Sequence, residues 1–164
     1  MKKILRYTAL FLLAALIIIQ FFRPKKNKQE GEAMNHISRV YAIPDEVNSI
    51  LKKACYDCHS NNTRYPWYAN IQPVAWWHAK HVNGGKKELN LSEFAGYNPR
   101  RQYKKMEEVI DEVKEGKMPL NSYTWTHKDA RLTDEEKGKI TSWAQAVMDS
   151  LKAKYPIDSL IRKK

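Results

Sequence analysis

Five consecutive residues, Cys55-Tyr56-Asp57-Cys58-His59, constrain this chain more than any other stretch. Two thiols three positions apart can each form a thioether bond to one vinyl group of the same porphyrin, and a histidine directly after them is held under the iron as an axial ligand. A fold that serves such a motif must leave room for a large flat group beside it. The motif therefore predicts one covalently attached haem c on Cys55 and Cys58, with His59 as the proximal iron ligand.

Three other interpretations of the motif were weighed. Structural zinc usually takes four Cys or His ligands from two separated pairs, and a chain with only two cysteines would need distant histidines. A redox-active Cys-x-x-Cys pair is expected at a strand–helix junction, and no run of strands is predicted here. The third alternative is two ordinary cysteines beside a histidine. An export signal in front of the motif favours haem attachment over all three.

That signal occupies residues 1–23. Lys2, Lys3 and Arg6 precede an uncharged, mostly apolar stretch over residues 7–22. No small-x-small cleavage site follows this stretch, so we expect an uncleaved signal-anchor helix. It is short against the roughly 20 residues that span a bilayer comfortably, although a snorkelling Arg6 extends it. Export after cleavage of the signal is the alternative. Because basic residues lie on both sides of the stretch, the positive-inside rule does not orient it.

The net charge of +11 is concentrated at the N-terminus. Residues 1–28 contain seven Lys or Arg and no acidic residue, which leaves 22 basic and 18 acidic residues in the rest of the chain. A domain so mildly basic does not indicate nucleic acid as a partner, and the N-terminal charges are interpreted as contacts with phospholipid.

Hydrophobic periodicity predicts an all-α domain over residues 40–153, preceded by a polar linker over 24–39 and followed by a basic tail over 154–164. Apolar residues recur at spacings of three and four, as on a helix with one buried face. The helices are expected over residues 44–54, 73–85, 98–116 and 133–156. The first leads directly into Cys55, and the second is expected to stop at Asn83-Gly84-Gly85. Aromatic residues crowd residues 65–77 and are expected to wall the haem site or to form the core.

Over residues 40–153 the chain resembles the small bacterial haem-binding domain family with a single Cys-x-x-Cys-His motif, and more loosely the monohaem c-type cytochromes. The resemblance is carried by residues 55–61, the Tyr65-Pro66-Trp67-Tyr68 segment, Lys117-Met118-Pro119-Leu120 with Tyr123, and His127. It implies a cytochrome c-like helical haem domain behind the N-terminal anchor helix. Because c-type haem is attached outside the cytoplasm, it also implies that the domain faces the periplasm from the inner membrane.

The same resemblance implies a distal ligand from an irregular loop just before the last helix. Met118 is the methionine placed in that way, whereas Met106 and Met148 lie within predicted amphipathic helices. Met118 is therefore assigned as the distal iron ligand, with His81 as the runner-up and His78 beside it. A thioether favours ferrous iron more than a second imidazole does.

The function implied is electron transfer with an unidentified redox protein as partner, rather than catalysis. Two alternatives need a labile or open sixth position on the iron: a haem-based sensor and a peroxidase-like enzyme. The final Arg162-Lys163-Lys164 is interpreted as a solvated end, with a docking patch for an acidic redox partner as the alternative.

Overall fold

The structure is a computed structural model that describes residues 1–31 and 33–161. All regular structure in these residues is helical, which confirms the all-α prediction. The helices are α1 Lys2–Ile19, α2 Asp45–Ala54, α3 Tyr56–His59, α4 Val74–Glu88, α5 Pro99–Lys114, α6 Asn121–Thr124, α7 Asp134–Lys154 and α8 Ile157–Leu160. Short 3-10 turns connect them at Ile37–Arg39, Trp67–Asn70, Phe94–Gly96 and Lys128–Ala130.

The hydrophobic core lies mainly between α5 and α7, with α2 and α8 packed on this pair. Met106 of α5 is fully buried, and Trp143 and Leu151 of α7 are almost fully buried. The indole Nε1 of Trp143 donates a hydrogen bond to the carbonyl of Ala42, 3.0 Å away. Met106 and Met148 are both core residues, as the amphipathic pattern of their helices predicts.

Side chains cap the starts of two helices. The side chain of Asn98 accepts a hydrogen bond from the amide of Arg101 at the start of α5. At the start of α7, Thr133 and Glu136 form a capping box in which each side chain bonds the other residue's backbone. These local bonds satisfy amides that have no partner within the helix.

Helix α4 does not stop at Asn83-Gly84-Gly85, and that prediction was wrong. It continues through both glycines to Glu88, and Gly85 lies against the backbone of Cys58. A Cβ at position 85 would come within 2.7 Å of the carbonyl oxygen of Cys58. The glycine therefore permits a close approach between α4 and α3 instead of ending the helix.

The polar segment that precedes the domain forms hydrogen bonds with the surface of the domain. The amide of Asn27 donates to the hydroxyl of Tyr65, and the Asn27 side chain donates to the carbonyl of Ser60 at 2.8 Å. Ile37 has no exposed surface and belongs to the core. Part of the expected linker is thus built into the domain, because the side chain of Asn27 donates to the carbonyl of Ser60 and the side chain of Gln29 accepts from that of Asn61.

At the other end, α8 folds back onto α5. Leu160 is 1% exposed and joins the core, and Arg100 donates to the carbonyl of Ser159. The expected tail is therefore packed as far as this helix. The basic triplet 162–164 lies outside the described residues.

Helix α1 buries none of its residues. Among the helices of residues 1–31 and 33–161, none combines the length and apolar character needed to cross a membrane. The anchor expected over residues 1–23 stays a prediction.

Candidate haem-binding site

The Cys-x-x-Cys-His motif forms the turn at which α2 ends and α3 begins. Cys55 lies at the junction, and its carbonyl accepts hydrogen bonds from the amides of Cys58 and His59, at 3.2 and 2.9 Å. One turn of helix therefore carries both thiols and the imidazole. Cys55 and Cys58 are free thiols that do not form a disulfide.

Two adjoining cavities of about 320 and 260 Å³ open beside this turn. Volumes of this order are typical of small-molecule and cofactor sites. The residues that line both cavities are Cys55, His59, Glu88, Val113 and Met118. The first cavity is bounded by α4 and the α6 region, and the second reaches inward to Met106 and Trp143. Three predicted site residues thus line both cavities, and Cys58 lines the first.

A hydrogen bond at Nδ1 orients the ring of His59. Its Nδ1 lies 3.0 Å from the carbonyl oxygen of Leu89, which can only accept, so Nδ1 carries the proton. The unprotonated Nε2 is then available to a metal. A hydrogen bond from the other ring nitrogen is what usually orients a histidine that binds a metal. Burial lowers the pKa of His59, which favours the neutral imidazole that iron requires.

Burial has the opposite effect on the two thiols. It raises the pKa of Cys55 to about 12, with the nearby Cys58 as a further cause. It also raises the pKa of Cys58 to about 11, with Asp57 as a further cause. Reactive thiol–disulfide pairs and zinc ligands work as thiolates. This environment therefore does not favour either alternative, and no group of three or more His, Cys, Asp or Glu able to hold a metal ion exists among the described residues.

Met118 lies where the loop after α5 meets the cavities. It is partly buried and lines both cavities together with His59. The amides of Lys117 and Met118 donate to the carbonyl of Glu112, at 3.0 and 3.1 Å, and so tie this loop to the end of α5. The side chain of Met118 therefore lines the same two cavities as the imidazole of His59.

The two histidines of α4 differ in position. His81 lines the first cavity, and its Nδ1 lies 2.8 Å from the carbonyl of Trp77, which leaves Nε2 for another partner. His78 is buried against Tyr65, with ring centroids 5.3 Å apart, and lines neither cavity. Of these two candidates for the sixth ligand, only His81 reaches the site.

The aromatic stretch over residues 65–77 does not wall either cavity. Trp67, Trp76 and Trp77 are 76%, 42% and 46% exposed, and none of them lines the two cavities. The aromatic residues that do line them are Tyr123 and Trp143, from elements far along the chain. The clustering of aromatic residues in sequence was therefore misleading about the walls of the site.

Asp57, in the middle of the motif, was not singled out by the sequence and proves to be structural. It is 4% exposed, accepts a hydrogen bond from the Tyr123 hydroxyl at 2.7 Å and forms an ion pair with Arg64 at 3.2 Å. A carboxylate so buried needs such partners. Tyr123 itself lines the first cavity, so this bond joins the segment that follows Met118 to the motif. An acidic residue inside a buried motif, followed by an arginine seven positions later, was the available signal.

These features fit a haem. Two thiols, a free imidazole Nε2 and a thioether border the same space, whose remaining walls include Val113, Leu120 and Leu132. Lys80 borders the first cavity, and its ammonium is suited to a propionate, whereas Lys105 on the second cavity is paired with Glu88 and Glu108.

The close contact between Gly85 and Cys58 predicts that a larger residue at position 85 lowers the stability of the protein. Gly85→Ala should destabilise the haem-loaded protein by about 1–3 kcal/mol, because the added methyl group overlaps backbone atoms that cannot move aside independently. The matched control is Gly138→Ala in α7, where a Cβ meets nothing within 4 Å and helix propensity should add up to about 1 kcal/mol. Thermal unfolding measures both. Equal stabilisation by the two changes would contradict the close contact.

Comparison with known proteins agrees with this site. A family model described as a haem-binding domain matches residues 14–146, most of the chain. No curated protein matches the chain, and no solved structure does. The matched range includes the motif, the loop of Met118 and most of α7. The chain belongs to the haem-binding domain family.

Proposed function

We propose that this haem-binding protein is a membrane-attached, periplasmic c-type haem protein that transfers electrons. One observation carries the proposal: Cys55, His59 and Met118 line the same two cavities, with the imidazole Nε2 of His59 left free. This set supports covalent attachment, proximal ligation and distal ligation by one short motif and one loop. The partner that exchanges electrons with it is a redox protein.

The bound haem supplies a one-electron iron couple. The chain's own residues decide how that couple is used. Cys55 and Cys58 would hold the macrocycle in place, the bond from His59 to Leu89 orients the imidazole, and burial favours its neutral form. The thioether of Met118 favours the ferrous state relative to a second histidine. Apolar walls around Val113 limit water, which suits a carrier.

A second candidate function is a haem-based sensor or a peroxidase-like enzyme. It is favoured by the presence of His81 and Met118 on the same cavity, since two candidate donors there allow exchange at the sixth position. A carrier keeps one ligand, whereas a sensor or peroxidase needs that position to open.

The absorption spectrum of the purified protein in both oxidation states tests these functions. An electron carrier should be low-spin in both states, and the reduced protein should be inert to carbon monoxide. Rapid carbon monoxide binding by the reduced wild type would overturn the carrier in favour of the sensor or enzyme.

Membrane attachment is supported by α1, whose apolar residues are exposed along its whole length. We expect intact chain to stay with the membrane fraction through a high-salt wash, since burial of this apolar surface does not weaken with ionic strength. The control is the same wash at low salt, which retains electrostatically bound proteins as well. A soluble protein whose mature N-terminus lies near Glu30 would show that the segment is a cleaved signal.

The periplasmic side is proposed because haem of the c type is attached outside the cytoplasm. A reporter enzyme that is active only in the periplasm, fused after residue 164, should be active. An active cytoplasmic reporter at the same position would contradict this orientation.

A further inference from the structure

We propose that an exposed apolar surface of the haem domain, the aromatic collar, rests on the surface of an anionic phospholipid bilayer. The collar is defined by Phe21, Phe22, Trp67, Ile71, Val74 and Trp76. Each of these side chains is at least 36% exposed, and Phe21 and Trp67 are 83% and 76% exposed. The inference rests on membrane attachment through α1, as proposed above, and adds a second contact made by the folded domain.

One buried glutamine brings the parts of the collar together. Gln72 is 1% exposed, and its side chain donates to the carbonyl of Phe22 at 2.7 Å and accepts from the amide of Trp76 at 3.2 Å. Its backbone exchanges two hydrogen bonds with the side chain of Gln20, at 3.0 and 3.2 Å. The residues just after α1 and the first turn of α4 are therefore joined through a single side chain.

Because of these hydrogen bonds, the segment between α1 and the domain is not a flexible linker. Asn27 continues the attachment through its bonds to Ser60 and Tyr65, and Lys86 donates to the Asn27 side chain at 2.6 Å. If α1 enters a bilayer, the end of that helix and the collar meet the membrane at nearly the same level.

The chemistry of the surface fits a lipid interface. Tryptophan is enriched where hydrocarbon meets headgroups, because its ring is apolar and its N–H polar. Arg23, Lys25 and Lys26 follow directly after the phenylalanines of the collar and are exposed. Such basic residues are attracted to anionic headgroups by about 1 kcal/mol each. A partner protein would not require this combination of tryptophans beside an exposed apolar helix.

The position of the collar would also determine the distance between the haem site and the bilayer. Helix α4 begins in the collar at Val74 and lines the first cavity at Lys80, His81 and Gly84. At about 1.5 Å per residue, Lys80 lies roughly 9 Å and Gly84 roughly 15 Å along the helix from Val74. The opening of the site would be held at a constant height above the bilayer, which suits exchange with a partner in the same membrane.

Photolabelling of the full-length, haem-loaded protein tests the proposal. The protein is reconstituted in vesicles of phosphatidylcholine and phosphatidylglycerol that contain a phospholipid with a diazirine near its headgroup, and labelled peptides are identified by mass spectrometry. We expect labels in α1 and also in residues 67–76. Helix α7 supplies the background, because it packs on α2 and α5 on another side of the domain.

Two variants sharpen the result. Gln20→Ala with Gln72→Ala removes the side-chain bonds of the junction, and we expect it to keep the labels in α1 while collar labelling falls about fivefold. Trp67→Ser with Trp76→Ser should lower labelling of Ile71 and Val74 in the same way. Ile157→Ser is the matched control, because it removes an exposed apolar side chain of α8. An unchanged absorption spectrum shows that each variant is folded.

The outcomes separate this inference from the proposed anchor. Labels in α1 and the collar support both, whereas labels in α1 with the collar at background overturn the collar and leave the anchor standing. Labels in the collar alone support the lipid-facing surface and overturn the anchor. Background labelling throughout overturns both.

Discussion

The double variant Cys55→Ser with Cys58→Ser is expected to lose all covalently bound haem. Both thiols line the first cavity beside His59, and each supplies one thioether bond in the proposed attachment. A serine oxygen does not replace these bonds under the same conditions. After denaturing gel electrophoresis, wild-type protein should keep haem-dependent peroxidase staining and the double variant should show none.

The single variants are the matched controls. Each keeps one thioether, so we expect weaker staining that is still covalent. His59 remains in the double variant and its Nε2 is still free, so some haem can bind there without a covalent link. Extraction with acidified organic solvent should remove that haem from the double variant and not from the wild type. Staining that survives in the double variant would refute thioether attachment.

Met118→Ala is expected to open the sixth coordination position. In the oxidised wild type, a thioether on haem iron should give a weak far-red sulfur-to-iron band, and the variant should lose it. With no side chain of this kind left in the loop, the iron should become high-spin or accept added imidazole. Reduced variant should also bind carbon monoxide, to which the wild type should be inert.

Two controls assign the effect to Met118. Met106→Leu removes the other methionine that lines a cavity, and His81→Ala removes the imidazole that shares the first cavity with Met118. Both should keep the far-red band. A wild type without the band, unaltered in Met118→Ala and converted to high spin in His81→Ala, would show that the histidine is the distal ligand.

The bond between Asp57 and Tyr123 bears on how firmly Met118 is held. Methionine is a weak iron ligand, and its loop has two attachments: to Glu112 before it and, through Tyr123, to the motif after it. Burial and the hydrogen bond to Asp57 both raise the pKa of Tyr123, so its hydroxyl stays protonated and keeps donating at any physiological pH. The attachment is thus insensitive to pH over that range.

Much of the helical framework was predictable because its signals are local. Thr133 and Glu136 are three residues apart, and Asn98 caps the helix that begins at the next residue, so a short window of sequence contains both partners. The motif is also local, since attachment chemistry depends on the spacing of Cys55 and Cys58. The sequence alone therefore determined the class of fold and the haem-binding family.

Only the tertiary structure decided which side chains meet at the site. His59 is oriented by Leu89, thirty positions away, and Asp57 by Tyr123, sixty-six positions away. Bonds of this kind leave no periodic pattern, because each depends on how separate helices pack. The sequence around Gly85 is typical of a helix stop, but in the fold this glycine lies against Cys58, and His78 is buried beside Tyr65 while His81 lines the first cavity. The exposed tryptophans also show the effect of packing. Whether an aromatic ring lines a cavity or faces solvent depends on the element packed against it, and the composition of its own segment does not indicate which.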